Sequence, residues 1–160
     1  MGEVLRQRLK QKKFESPAHE AMLALMVTAS QIQSDSDKVC ASFGISSQQY
    51  NILRILRGAE TDGSHGRSCG EIAERMIDRA PDVTRRIDAL VKAGLVERDR
   101  SDEDRRVVLT RITKKGLALL EKMHPEITRR EAQILGKVPQ EDLAELTRVC
   151  EQLLAAVQGS

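Results

Sequence analysis

The residues whose types best suit recognition chemistry are arginines in two neighbouring segments. Arg85 and Arg86 follow Thr84 in a helical pattern, and Arg105 and Arg106 end the charged stretch RSDEDRR. A guanidinium group can donate paired hydrogen bonds to a guanine edge or enter a narrow minor groove, and a threonine can contact a phosphate or a thymine methyl group. This combination favours double-stranded DNA as the ligand.

A plainer interpretation of each segment stays open. The arginine pair would then only solvate its helix, and the charged stretch would be a solvated turn of balanced charge. Asp102 and Glu103 fit that second description. Asp104 is instead predicted to hold a neighbouring arginine in place through a charge-assisted hydrogen bond.

The net charge of +2 hides an uneven distribution along the chain. Residues 1–16 carry five basic and two acidic side chains, residues 75–115 carry twelve basic and eight acidic ones, and the remainder is net negative. A basic middle within an acidic frame agrees with a polyanionic partner. The aromatic content of 2% argues against the stacking platforms that bind single strands, so a duplex is the preferred partner.

Patterns that would indicate catalysis, a metal site or a cofactor are missing from the sequence. It has no nucleophile elbow, P-loop or dinucleotide fingerprint, so an enzyme is not expected. Without a signal peptide or an apolar run long enough for a bilayer, the protein is expected in the cytoplasm and away from membranes. The histidines are isolated and the cysteines lack CxxC spacing, so the sequence predicts neither a metal site nor a disulfide. These histidines and cysteines are His19, His65, His124, Cys40, Cys69 and Cys150.

The length of 160 residues predicts one domain, preceded by a flexible basic arm over residues 1–16. Ser16 and Pro17 start a helix whose apolar positions recur every three or four residues up to Gly44. Further helical patterns follow, then two short β-branched segments around the RSDEDRR stretch, and finally two helices after Thr113. This order predicts a mainly α fold with a small β-hairpin.

The middle of this order is a helix-turn-helix followed by a hairpin, or wing. Ser68 to Glu71 has capping-box spacing for a short first helix, and Pro81 suits the first turn of the second helix. The second helix would enter the major groove and the hairpin tip would reach the minor groove. The predicted DNA-binding residues of this winged helix-turn-helix are Ser68, Pro81, Asp82, Thr84, Arg85, Arg86, Arg105 and Arg106, with Asp104 supporting the wing.

The run from Glu71 to Gly116 resembles the MarR family of bacterial transcriptional regulators. The family motifs are a V-T-R segment, a G-L-V strand, a D-x-R wing signature and an L-T…G stretch, matched here at residues 83–85, 94–96, 104–106 and 113–116. Two positions depart from the family pattern. Arg86 stands where the residue is often apolar, and Pro139 stands where the last helix commonly has a serine or threonine cap.

The resemblance implies a homodimer that represses transcription from a pseudo-palindromic operator and releases it on binding a small, often aromatic ligand. The dimerisation helices would lie in residues 17–45 and 117–160, flanking a winged helix-turn-helix over 46–116. Apolar stripes on both terminal segments also favour a dimer, because neither has an obvious partner within one chain. Relatives bind their ligands in a cleft whose lining here would be Met22, Met26, Tyr50 and Leu53, although the same residues would serve as core.

Some members of the family sense oxidants through a cysteine. Cys69 is the candidate here, because it stands beside a predicted helix start, where the thiolate is favoured. Cys40 and Cys150 lie within apolar helical patterns and are predicted to be core residues. Oxidant sensors of the family carry their reactive cysteine near the start of the first helix, and this chain has none there. A redox-sensing regulator is therefore an alternative within the DNA-binding class.

Two further alternatives belong to other functional classes. A protein-interaction module that kept the winged fold would bind DNA weakly and without salt dependence. A non-specific architectural protein would bind DNA with strong salt dependence but with little preference between sequences. The sign of regulation, repression or activation, is also left open by the sequence.

Overall fold

The structure is a computed structural model that describes residues 2–64, 66–78, 82–100 and 106–159. The predicted site residues Pro81, Asp104 and Arg105 lie outside the described residues. Within them the chain divides into two compact units, with the boundary between Leu120 and Glu121.

The first unit contains the helix-turn-helix and the sheet, and the predicted mainly α fold with a small β element is confirmed. Its elements are α1 (Glu3–Leu9), α2 (Pro17–Ser42), α3 (Ser47–Thr61), β1 (Arg67–Ser68), α4 (Cys69–Arg75), α5 (Val83–Lys92), β2 (Val96–Arg100), β3 (Val108–Ile112) and the start of α6 (Lys114–Leu135). The second unit contains the rest of α6, which continues through Pro125, and α7 (Gln140–Gln158). None of the described helices is long and apolar enough to cross a membrane.

Side-chain caps fix where the helices of the first unit begin. Ser46 and Ser68 each form a complete capping box, with Gln49 and Glu71 as the reciprocal partners, at the starts of α3 and α4. Such caps satisfy backbone N–H groups that the helix itself leaves unpaired. The capping box predicted at Ser68 is confirmed, and it sets the first residue of the helix-turn-helix.

The sheet is three-stranded and antiparallel, in the order β1-β3-β2. The predicted hairpin is its β2–β3 pair, in which Val96 lies opposite Ile112 and Arg100 lies opposite Val108. The additional strand β1 adds two residue pairs to the other edge of β3. A two-residue strand has no alternation to detect, which explains why the sequence pattern did not reveal it.

The core of the first unit lies between α3, α4, α5 and the base of the hairpin. The side chains of Ile52, Leu53 and Leu56 from α3 are almost fully buried, as are Ile72 of α4 and Ile87 and Leu90 of α5. Their spacing of three and four residues places one face of each helix inward. The opposite face of α5 is thereby directed to solvent.

The basic N-terminal arm contains structure that its sequence did not predict. Residues 3–9 form α1, which has no buried residue. Glu3 in its first turn and Arg8 in its last turn both complement the helix dipole. Seven residues are too few for a periodic apolar signal, so composition alone described this segment as flexible.

Gly116 is expected to be required for packing between α6 and the sheet. A Cβ atom added there would collide with the Leu95 carbonyl oxygen and approach Ile112 Cγ1 to 2.7 Å. We expect Gly116→Ala to lower the free energy of unfolding by about 1–3 kcal/mol, measured by urea titration. The control is Gly58→Ala in α3, where a Cβ meets nothing within 4 Å. That change should stabilise by about 0.5–1 kcal/mol, and equal effects of the two variants would contradict the packing argument.

Candidate nucleic-acid interface

The solvent-facing side of α5 is the centre of the candidate interface. Val83, Ile87 and Leu90 are buried and anchor the helix to the core. The exposed residues of α5 lie on its other side and comprise Thr84, Arg85, Asp88, Ala89 and Lys92. A ten-residue helix that is anchored along one side in this way has a suitable size to enter a major groove.

The two adjacent arginines of α5 have different environments. Arg85 is exposed, and no ion pair joins it to another described residue. Arg86 is 19% exposed, and its Nη2 atom lies 2.9 Å from Oδ1 of Asp82. Its Nη1 atom is buried without a hydrogen-bond partner in the described part of the chain. Arg85 is therefore the guanidinium available to a ligand, whereas the Arg86 guanidinium is held by a carboxylate of its own helix.

Asp82 precedes α5 and would be the expected helix cap, but its side chain makes no capping hydrogen bond. Its carboxylate is paired with Arg86 instead. The sequence interpretation placed both residues in direct contact with DNA. The structure brings them together as a pair within one turn of the helix.

Ser68 and Cys69 connect the start of α4 to α5. The Ser68 hydroxyl accepts from the backbone N–H of Glu71 and donates to the Glu71 carboxylate, and the Ser68 N–H also donates to it. These hydrogen bonds lower the pKa of Glu71, the backbone one most strongly. Cys69 Sγ lies 3.3 Å from Oγ1 of Thr84, so the cap places a thiol against the exposed face of α5.

The other cysteines differ from each other. Cys40 is buried at the end of α2, and its burial, with a contribution from Asp37, raises the pKa of its thiol to about 11. The expected core position of Cys40 is thus confirmed. Cys150, for which a core position was also expected, is half-buried on α7, a helix with no buried residue.

The wing, formed by β2 and β3, carries ion pairs on both of its faces. Arg98 Nη1 lies 2.7 Å from Oδ1 of Asp88 on α5, and Arg111 Nη1 lies 3.9 Å from Oδ2 of Asp99. Arg106 is exposed just before β3 and is already engaged in an interaction. The predicted support by Asp104 concerns a residue outside the described ranges.

A cluster around Arg67 was not predicted from the sequence. Its guanidinium is ion-paired with Asp62 and with Glu71, and it connects the loop after α3 to the start of α4. Hydrogen bonds from Ser64, more than Arg67 itself, lower the pKa of Asp62. Asp62 and Ser64 are two residues apart, a spacing typical of a turn. This spacing was the sequence signal that could have indicated part of the cluster.

The four residues predicted to line a ligand cleft have dissimilar surroundings. Met22 and Met26 are exposed on α2, at 53% and 61%, whereas Leu53 is completely buried in the core. Tyr50 is half-buried on α3. Leu53 therefore has no surface to offer a ligand in this conformation, and the core interpretation fits it better.

Comparison with known proteins gives a consistent result. A model of the MarR family matches residues 45–108. The chain is 36% identical to a MarR transcription factor from Planctomyces limnophilus, covering 88% of this chain and 99% of that one with a TM-score of 0.65. It is 28% identical to the HTH-type transcriptional regulator PecS of Dickeya dadantii, over 69% of this chain and 65% of PecS.

The fold also matches the S. aureus MepR–DNA complex, with a TM-score of 0.75, 17% identity and coverage of 89% of this chain and 99% of that chain. That identity supports the fold alone. The identity and coverage shared with the P. limnophilus transcription factor, added to the helix-turn-helix and wing, establish the family. The chain belongs to the MarR family of winged helix-turn-helix transcriptional regulators.

Proposed function

We propose that this protein is a homodimeric, sequence-specific double-stranded DNA-binding repressor that acts in the cytoplasm and responds to a small molecule. The observation that carries the DNA-binding part is the exposed face of α5, which presents Thr84 and Arg85 while its other face is anchored in the core. MepR, which has the same fold, was solved as a complex with DNA. Electrostatic support comes from residues 75–115, in which basic side chains outnumber acidic ones.

Within this proposal the arginines of α5 have separate roles. Arg85 donates to base edges in the major groove, and Thr84 contacts a phosphate or a thymine methyl group. Arg86 pairs with Asp82 at the start of α5 and is not required to contact a base. Arg106 reaches the minor groove from the wing, where a narrow groove strengthens the negative potential.

The homodimer is proposed from apolar faces that one chain leaves uncovered. On α7 the exposed apolar residues recur at helical spacing along one side: Leu146, Val149, Leu153, Leu154 and Val157. On α2, Met22, Leu25, Met26 and Ile32 are exposed in the same way. Rows of this length are unusual on the surface of a monomer, and a second copy is the partner with matching faces.

Repression and its relief by a ligand are proposed on the family resemblance. A repressor needs only to occupy an operator that overlaps a promoter, which a dimer with two helices in successive major grooves can do. A ligand that binds more tightly to a dimer conformation unsuited to the operator would release the dimer from DNA. The extent of release depends on how much the ligand's affinities for the two dimer conformations differ. Small aromatic and phenolic compounds are the class to screen first.

The role of Arg85 predicts loss of both affinity and sequence preference when its side chain is shortened. We expect Arg85→Gln to weaken binding to the operator by about 1–3 kcal/mol and to relax preference at one base pair in each half-site. Fluorescence anisotropy against operator variants measures both. Arg57→Gln, which removes an exposed arginine from α3, is the matched control and should retain the preference. Equal losses of operator and shuffled-DNA affinity in Arg85→Gln would contradict a base-reading role.

The proposed dimer predicts that one charge on the apolar face of α7 dissociates it. Leu153→Glu places a carboxylate in the row of exposed apolar residues, and Ala155→Glu places the same group on the opposite side of the same helix. Light scattering after size-exclusion chromatography should give a monomer mass for Leu153→Glu and a dimer mass for Ala155→Glu. A dimer that persists in Leu153→Glu would exclude this face of α7 from the interface.

A further inference from the structure

An ion pair links the recognition helix α5 to the wing. The Asp88 carboxylate and the Arg98 guanidinium are 2.7 Å apart, and they come from α5 and β2. Asp88 lies one turn after Thr84, on the face of α5 that also carries Arg85. The pair therefore stands between the two parts of the protein that would enter different grooves.

The strand register explains how the Asp88–Arg98 pair can influence the orientation of the wing. Side chains alternate along β2, so Arg98 shares a face with Val96, which is buried opposite Ile112 at the base of the hairpin. Strand β1 pairs with β3 only at Thr110 and Leu109. Beyond those positions the described wing is a two-stranded ribbon, and such ribbons twist easily unless another element supports them. Arg98 lies opposite Thr110, which also pairs with Arg67 of β1, so it stands one residue pair before the third-strand support ends at Leu109.

The charge arrangement argues against Arg98 as a free phosphate-binding group. Asp88 is 55% exposed on the side of α5 that would approach DNA, where an unpaired carboxylate would repel phosphates. Pairing with Arg98 neutralises this carboxylate and occupies the guanidinium at the same time. The arrangement suits a connecting role better than a contact with DNA.

We infer that Asp88 and Arg98 are positioning residues that fix the angle of the wing relative to α5, so that major-groove and minor-groove contacts form together. This inference rests on the proposed DNA-binding function. Both side chains are partly exposed, so the pair is of modest strength, and its loss should weaken operator binding by about twofold to fivefold.

The test compares Asp88→Asn, Arg98→Gln and the double variant with the wild type. Backbone amide hydrogen exchange of the free proteins should show faster exchange in β2 and β3 for all three variants, with α3 and α5 unchanged. Hydroxyl-radical footprints on the operator should lose the minor-groove protection due to the wing while keeping the α5 footprint. The double variant should bind no more weakly than either single variant, because both remove the same interaction.

The matched control is Asp99→Asn, which breaks the longer pair with Arg111 on the opposite face of the wing. It should leave the wing footprint in place. The slope of log affinity against log salt should be the same for Arg98→Gln and the wild type, since no phosphate contact is lost.

Three results would overturn the inference. Unchanged exchange in β2 and β3 would show that the pair does not hold the wing. A salt slope reduced by about one in Arg98→Gln, with tighter binding by Asp88→Asn, would make Arg98 a direct phosphate contact. Additive losses in the double variant would mean that the two residues act separately.

The exchange measurement needs no DNA, so it separates this inference from the proposed function. If the wild type binds operator and shuffled duplexes equally while the variants loosen the wing, the positioning role stands and the sequence-specific function fails. If the wild type prefers its operator and the variants leave hydrogen exchange in the wing unchanged, the sequence-specific function stands and the positioning role fails.

Discussion

The burial of one face of α5 is the constraint on which the candidate interface depends. Val83, Ile87 and Leu90 are held against α3, α4 and the hairpin, and each fully buried side chain of this size contributes about 1.5–3 kcal/mol relative to exposure. Because the helix has 3.6 residues per turn, this anchoring alone decides which side chains face outward. Thr84 and Arg85 are presented to a ligand as a consequence of core packing.

Charge pairing then selects among the side chains that the core leaves outside. Arg86 and Arg98 are each within 3 Å of a carboxylate, whereas Arg85 has no ion pair among the described residues. A guanidinium that already pairs with a carboxylate has part of its charge neutralised and fewer N–H donors left for a phosphate or a base. The candidate interface therefore offers fewer unpaired guanidinium groups than its number of arginines indicates, and within the described ranges the unpaired one on α5 is Arg85.

Local signals in the sequence were sufficient for most of the elements, although not for α1 and β1, and insufficient for the pairings. The capping box at Ser68 and the helical pattern that forms α5 were predicted correctly because neighbours along the chain determine both. The strand β1 and the pair between Asp88 and Arg98 join residues that are distant in sequence, and no periodicity encodes them. The four-residue separation of Asp82 and Arg86 was visible, but only the packed structure shows that this pairing replaces the helix cap.

The measurement that tests the central claim most directly is the affinity of the wild-type protein for two duplexes at one near-physiological salt concentration. One duplex comes from the region upstream of its own gene, and the other is a shuffled version of it. The account predicts a preference of about a thousandfold or more for the first, with one dimer bound per site. Equal and salt-sensitive binding to both would contradict sequence-specific recognition and favour an architectural role. Absence of binding to either would favour a protein-interaction module.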